Sequence, residues 1–451
     1  MNKVFAYRGI ETYEELEGMY DAGELAAIFS LIGEAVQPGD NVVLKPNFVK
    51  ESHLDRHDEW VQIVTNGSLV KCVLKEVVKA LRGVGHIAVV DAPQTDSDYD
   101  EIIKRVGLPA IIEEVRVSTD VPIEYYDLRE ERWFFREGII TSKKRLAGDP
   151  LGYTKVNLGS DSFFANKQNK DYYGADYDRE ETALYHNERD NIYVISNTVL
   201  KADVFINLPK LKSHKLGGMT CCLKNLVGTC VIKNSLPHHT IGVPSQGGDQ
   251  FSEKSEHSNA EGRLKALSVK LLKYKNPLIN YPFILAKKLA GLFLGSASSD
   301  TVRNGSWYGN DTIWRTTLDL NRILLFADER GVMHDEPQRR YLAFVDAIIA
   351  GDGNGPMAAD AKRCNTLVAG TNPVALDAAC SRLMGFDWRK IPTVKHGFDE
   401  VRWQLFKGIH DDILIDSNEP CWNGFIDDIS VEDTFQFKPH FGWVGHVELE
   451  S

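Results

Sequence analysis

Apolar residues along this chain alternate between short β-branched runs and longer stripes at helical spacing. NVVLKPN (41–47) is a run of the first kind, broken at Pro46. From Leu69 to Leu81 the apolar residues Leu69, Val70, Val73, Leu74, Val77, Val78 and Leu81 recur every three to four positions, which predicts a helix. Ser68 is its expected cap, and Gly83 and Gly85 its stop. HIAVVDAP (86–93) then reads as a buried strand. Strand, helix and strand in this order imply a parallel pair joined by a right-handed crossover. A short helix over 98–106 and a strand in VPIEYYDL (121–128) extend the pattern.

Periodicity weakens over 129–190, which is rich in charge, Tyr and Asn and reads as a β-rich flap outside the core. The alternation returns with ADVFINLP (202–209), a lysine-rich loop and a helix expected over about 219–227. Residues 231–262 read as a long polar loop, and loops of that length in compact domains are usually functional or disordered. Residues 264–295 hold six lysines and no acid, with breaks at Pro277 and Pro282. Two readings stand for them: a surface helical hairpin, or a helix that meets a membrane surface or a protein partner. Further on, Asp311 is the expected cap of a helix reaching about Arg330. FVDAIIAGDGNG (344–355) and TLVAGT (366–371) read as strands. Asn372, Pro373 and Gly385 mark the cap, first turn and stop of another helix.

The expected architecture is α/β, with two lobes of mostly parallel sheet facing a central cleft. One lobe spans 1–128 and the second 191–400, with insertions at 129–190 and 231–310 and an extension at 401–451. A chain of 451 residues, 43% hydrophobic and 26% charged, builds such a core without disulfides. Its seven cysteines have no Cys-x-x-Cys or ferredoxin-type spacing, so no iron–sulfur motif is present. Reduced thiols and a cytoplasmic setting are expected. A net charge of -12 argues against general nucleic-acid binding.

Against that acidity, NLPKLKSHKLGGMTCCLKNLVG (207–228) gathers Lys210, Lys212, Lys215 and Lys224 around His214 and the pair Gly217–Gly218. A strand end, glycines and a helix N-terminus near Thr220 are the parts of an anion site. The spacing is not that of a Walker loop. Lys45 and Asn47 close one strand and Asp91 another, so all three sit at a sheet's carboxyl edge. Asp352 and Asn354 lie in a Gly-Asp turn, and Asp377 in the first turn of its helix. His53 and His57, four apart, would share a helix face and suit a metal. His238 and His239 in the long loop are further candidates for a metal or for proton transfer.

The blocks VVLKPNFV, TNGSLVKCVLKEV with AVVDAP, PKLKSH followed by LKNLVG, and VDAIIAGDGNGP with GTNPVALDAACSRLMG resemble the family called domain of unknown function 362. The resemblance covers about 41–110 and 190–400. Many members are fused to a ferredoxin-like module, whose cysteines this chain lacks. GSWYGNDTIWRTTLDLNRIL (305–324) looks like a stand-alone branch, whose resemblance implies a link to surface-polysaccharide synthesis. A more distant likeness is to lactate racemase-type proteins, where a histidine, a glycine turn and a lysine close a strand. His214, Gly217, Gly218 and Lys224 would match. In that family the lysine tethers a nickel-pincer nucleotide. Here Lys-Leu-Lys precedes the histidine and no Pro-Gly follows the lysine, so the likeness implies the architecture and leaves the nickel cofactor uncarried.

The expected function is an enzyme acting on a small phosphate- or carboxylate-bearing metabolite by proton transfer: an isomerase, epimerase or racemase. His214, Lys224 and Lys210 are the expected catalytic groups. Lys45, Asn47, Asp91, Lys212, Gly217, Gly218, Thr220, Asn225, Asp352 and Asn354 are the expected binding groups. The cofactor stays open, with a divalent metal compatible. The alternatives are a metal-dependent oxidoreductase and a non-catalytic anion-binding or assembly protein.

Overall fold

A computed structural model describes residues 2–136, 139–252 and 304–450. In chain order its strands begin with β1 (Asn2–Arg8), β2 (Asn41–Pro46), β3 (His86–Asp91), β4 (Ile123–Asp127), β5 (Glu131–Arg136) and β6 (Ile139–Arg145). Then come β7 (Tyr153–Asn157), β8 (Tyr172–Gly174), β9 (Ile192–Ser196), β10 (Val204–Leu208), β11 (Lys210–His214) and β12 (Gly218–Thr220). The last are β13 (Pro237–Thr240), β14 (Arg340–Asn354), β15 (Ala358–Gly370), β16 (Ile413–Ser417) and β17 (Gly424–Phe425).

Eleven of them form one sheet in the order β17-β16-β1-β15-β14-β10-β2-β3-β4, with β11 and β12 branching from β14. Pairing is parallel through β14-β10-β2-β3-β4 and antiparallel at β14-β15 and β15-β1. The expected α/β class and mostly parallel sheet are present. The strands assigned to two lobes, however, hydrogen-bond to one another: β2 of the first lies beside β10 of the second. They therefore share one sheet, with a core on each face. Val43, Ala88, Phe205 and Val345 belong to one core, and Val42, Leu44, Ile87, Ile206 and Phe344 to the other. That is the two-residue alternation of strands buried on both faces. Each such fully buried Val, Leu, Ile or Phe contributes about 1.5–3 kcal/mol. Residues 129–190 hold the β5–β6 hairpin and the strands β7 and β8, which pair with β9 and β13 beyond the segment.

The helix of the first crossover runs Gly67–Leu81, and its cap is Asn66, whose side chain accepts from Ser68 N; Ser68 itself lies inside the first turn. The helix expected from Asp311 runs Ile313–Phe326. Asp311 does not cap it, because its carboxylate is engaged by Lys167 and Arg315. Asn372 and Gly385 bound Pro373–Met384 as expected. The 264–295 segment lies outside the described residues. Among the described residues no helix is long and apolar enough to cross a membrane.

Candidate functional site

β2, β3 and β10 run parallel and end together, so polar residues at their carboxyl ends converge. Lys45 and Asn207 are register partners there. The Lys45 amine is fully buried and lies 2.7 Å from Asp91 Oδ1. It also donates to the Pro46 carbonyl at 2.8 Å. The other Asp91 oxygen accepts from Phe48 N at 2.7 Å. Gly228 packs onto this ion pair. A Cβ there would collide with Asp91 Oδ1 and sit 2.7 Å from Lys45 Nζ. Gly228→Ala is therefore expected to destabilise the protein by about 1–3 kcal/mol, read as a lower midpoint in urea.

Beside the pair runs a chain of amides. Asn47 Nδ2 donates to Asn225 Oδ1 at 2.8 Å, and Asn225 Nδ2 donates to Asn207 Oδ1 at 2.7 Å. Lys212 closes the chain, donating to Asn47 Oδ1 and the Ile63 carbonyl, both at 2.7 Å. Burial, with the charge of Lys210 next, pushes the Lys212 amine well below its usual value. Lys45, Asn47, Asp91, Lys212 and Asn225 are thus brought together, but each is satisfied by another protein group.

A second group differs in kind. β11 and β12 form a tight hairpin, with His214 opposite Gly218. In its turn, His214 Nδ1 accepts from Leu216 N at 3.0 Å and Gly217 N at 3.2 Å. An imidazole whose Nδ1 accepts carries its proton on Nε2. Burial, followed by the charge of Lys224, holds His214 far below its usual pKa, so it stays neutral. Among the described residues, the amine of the buried residue Lys224 has neither a hydrogen-bond partner nor a counter-ion. Desolvation, with Lys233 next, brings it down to about 7. His238 donates from Nδ1 to the Leu236 carbonyl at 2.8 Å. Burial and then Lys224 lower it to about 3, so its Nε2 is a bare acceptor. Lys215 is likewise desolvated and has no carboxylate against it among the described residues. Lys233, lowered to about 8 by burial, is satisfied by the carbonyls of Ala92 and Cys230.

Other expected residues lie elsewhere. Lys210 is buried against Asp346 at 2.6 Å, Tyr13 Oη at 2.9 Å and the Ile349 carbonyl at 3.1 Å. Leu211 belongs to one core while Phe344 and Ile348, flanking Asp346, belong to the other, so Lys210 faces away from Lys45. Gly218 has φ +76°, and the Trp443 ring would lie 3.1 Å from a Cβ there. An aromatic ring therefore covers the bare backbone expected to meet a ligand, and Gly217 lies in the same turn. Thr220 is buried with its hydroxyl unpartnered. Asp352 accepts from Lys438 N at 2.6 Å and Asn354 from Phe441 N at 3.4 Å, so both anchor the C-terminal segment.

The helix expected over 219–227 is a single turn, Cys222–Asn225. Its leading amides already have an acceptor: Asp377 accepts from Cys222 N at 2.7 Å and Leu223 N at 3.2 Å. That corrects the expected anion site at this helix end. No helix spans His53 and His57. His53 Nδ1 instead accepts from Asp55 N and Arg56 N in a turn. Lys233 was not anticipated. Its only sequence signal is a lysine in an apolar stretch, VIKN.

The architecture is thus an α/β protein built on one large, mostly parallel sheet with polar groups at its carboxyl edge. Residues 158–382 match the family described as Domain of unknown function (DUF362), in keeping with the resemblance read from the sequence blocks. No curated protein matches. Two solved structures are similar. One is a crystal structure of a protein from Thermotoga maritima, 15% identical, covering 50% of this chain and 40% of that one, with TM-score 0.25. The other is the lactate racemase apoprotein from Thermoanaerobacterium thermosaccharolyticum, 10% identical, covering 81% of this chain and 54% of that one, with TM-score 0.32. The chain therefore spans about half the length of these relatives or less.

Proposed function

We propose that this protein is an enzyme that binds a small carboxylate- or phosphate-bearing metabolite against Lys224 and Lys215 and moves a proton on it. One observation carries the reading: Lys224 is a buried residue whose amine has no partner among the described residues, whereas Lys45, Lys210, Lys212 and Lys233 are all satisfied. A buried cation without a counter-charge is costly, and an anionic ligand supplies that charge. An amine lowered to about 7 is also matched to proton transfer near neutrality. With Lys215 supplying the charge that meets the anionic group, Lys224 is the base in the fraction of complexes where its amine is neutral. His214, neutral and protonated on Nε2, donates a hydrogen bond to the oxygen on which charge develops. His238 Nε2 is an acceptor that orients a hydroxyl of the substrate, and Lys224 itself returns the proton. Isomerisation, epimerisation or racemisation next to a carboxylate or carbonyl all use this set.

The test is solvent exchange. Carboxylated and phosphorylated metabolites are incubated with the protein in deuterated water and followed by proton NMR. Loss of one carbon-bound proton signal is expected for one substrate class. Lys224→Met is expected to lower the rate about 10²–10⁴-fold. If His214→Ala exchanges as fast as the wild type, His214 is not the donor.

A further inference from the structure

Behind the turn that carries Thr220 and Lys224, three of the seven cysteines meet. Cys221, Cys222 and Cys380 are fully buried, and so is Asp377. The Cys221 and Cys222 sulfurs are 3.8 Å apart. One ligand atom from each of Cys221, Cys222 and Asp377 lies within 4.8 Å of the others. Cys380 neighbours Cys221 but stands outside that group of three. Asp377 and Cys380 are three residues apart on Pro373–Met384, which places both on one helix face. Three donors thus come from two segments far apart in the chain, with Cys380 beside them. In a tetrahedral site with metal–sulfur bonds of about 2.3 Å, neighbouring sulfurs lie about 3.8 Å apart, which is the separation found here.

We propose that Cys221, Cys222 and Asp377, joined by Cys380 when the ion binds, form a closed site for one soft divalent cation of the zinc type. Thiolates with one carboxylate suit such an ion, and the site leaves no open position, as in structural rather than catalytic zinc centres. On binding, each thiol and the carboxyl group loses its proton and the ion takes the protons' place. The Asp377 oxygens keep the amides of Cys222 and Leu223, which share the negative charge. The ion ties the Thr220–Asn225 turn to the helix Pro373–Met384 and so holds Lys224 in place. A disulfide is the competing use of the same sulfurs. Adjacent Cys221 and Cys222, at 3.8 Å, are well beyond the bond length of about 2.05 Å, which leaves Cys221–Cys380 as the pair to exclude.

The full chain is expressed in zinc-supplemented medium, freed of loose metal with a chelator and analysed for its elements. About one zinc per chain is expected. After growth in cobalt, a thiolate-to-cobalt charge-transfer band is expected in the near ultraviolet. Cys221→Ser and Cys380→Ser are expected to lose most of the metal, while Cys72→Ser, at a buried cysteine outside the cluster, keeps it. If a variant does not fold, the wild type decides: a mercurial that caps thiols releases the zinc in step with cluster modification. A metal-free wild type from both media overturns the proposal. So does a Cys221–Cys380 disulfide in the mass spectrum of the unreduced protein, or equal metal in Cys221→Ser and wild type.

Discussion

Replacing Asp346 by Ala is expected to destabilise the protein by about 3–5 kcal/mol. Lys210 and Asp346 are both fully buried and 2.6 Å apart, so the replacement leaves a lysine charge in the core. It also strips Tyr13 Oη of its acceptor at 2.9 Å and Asn66 N of its acceptor at 3.0 Å, at the start of the helix Gly67–Leu81. A urea titration followed by circular dichroism reads the loss. The paired replacement Lys210→Met with Asp346→Leu is expected to recover most of it, because neither charge is then buried alone. Lys210 was among the residues expected to be catalytic, and this pair of variants separates the two roles. A double variant that is stable and active gives Lys210 a structural role. A stable but inactive one returns it to the chemistry.

The second large effect is a pH dependence set by Lys224. Its folded value is about 7 against an ordinary value of 10.5. Between those values the unfolded chain binds the extra proton, so stability contributed by this group rises with pH from about 7 to about 10 and is lowest where the amine is charged. A bound anion does the reverse, favouring the charged amine and raising its pKa. Sulfate serves as a probe, since its charge is constant over this range. Its affinity is expected to fall as pH rises from about 6 to about 9, with a proton taken up on binding near neutrality. Calorimetry in buffers of different ionisation enthalpy measures that uptake. Lys233 acts on Lys224 through its charge, and His214 and His238 feel Lys224 in turn but are neutral throughout the range. Lys224→Met is expected to abolish the pH dependence. Persistence in that variant would assign the proton uptake to Lys233 or Lys215.

The strands and helices near the site were legible because their signals are local. Apolar spacing marks Gly67–Leu81, and β-branched runs mark β2, β3 and β10. The order strand, helix, strand made the parallel pairing of β2 with β3 readable as well. The capping residue of Pro373–Met384 was legible for the same reason, whereas the cap at Asn66 was misplaced by two positions because Asn and Ser are both good caps.

What each lysine does was not legible. Lys210, Lys212 and Lys224 look alike in PKLKSHKLGGMTCCLKN. Their fates depend on partners far along the chain: Asp346 for Lys210, Asn47 and Ile63 for Lys212, and none among the described residues for Lys224. The same holds for the helix end at Cys222, whose acceptor is Asp377, 155 positions away. Element type follows from a residue's near neighbours, so the sequence by itself determined the α/β class, the strand and helix positions and the concentration of positive charge after β10. Charge state and accessibility follow from desolvation and from contacts made across the sheet. Only the tertiary structure could decide that the strands share one sheet, and that of this cluster of lysines it is Lys224 that is buried without a partner among the described residues.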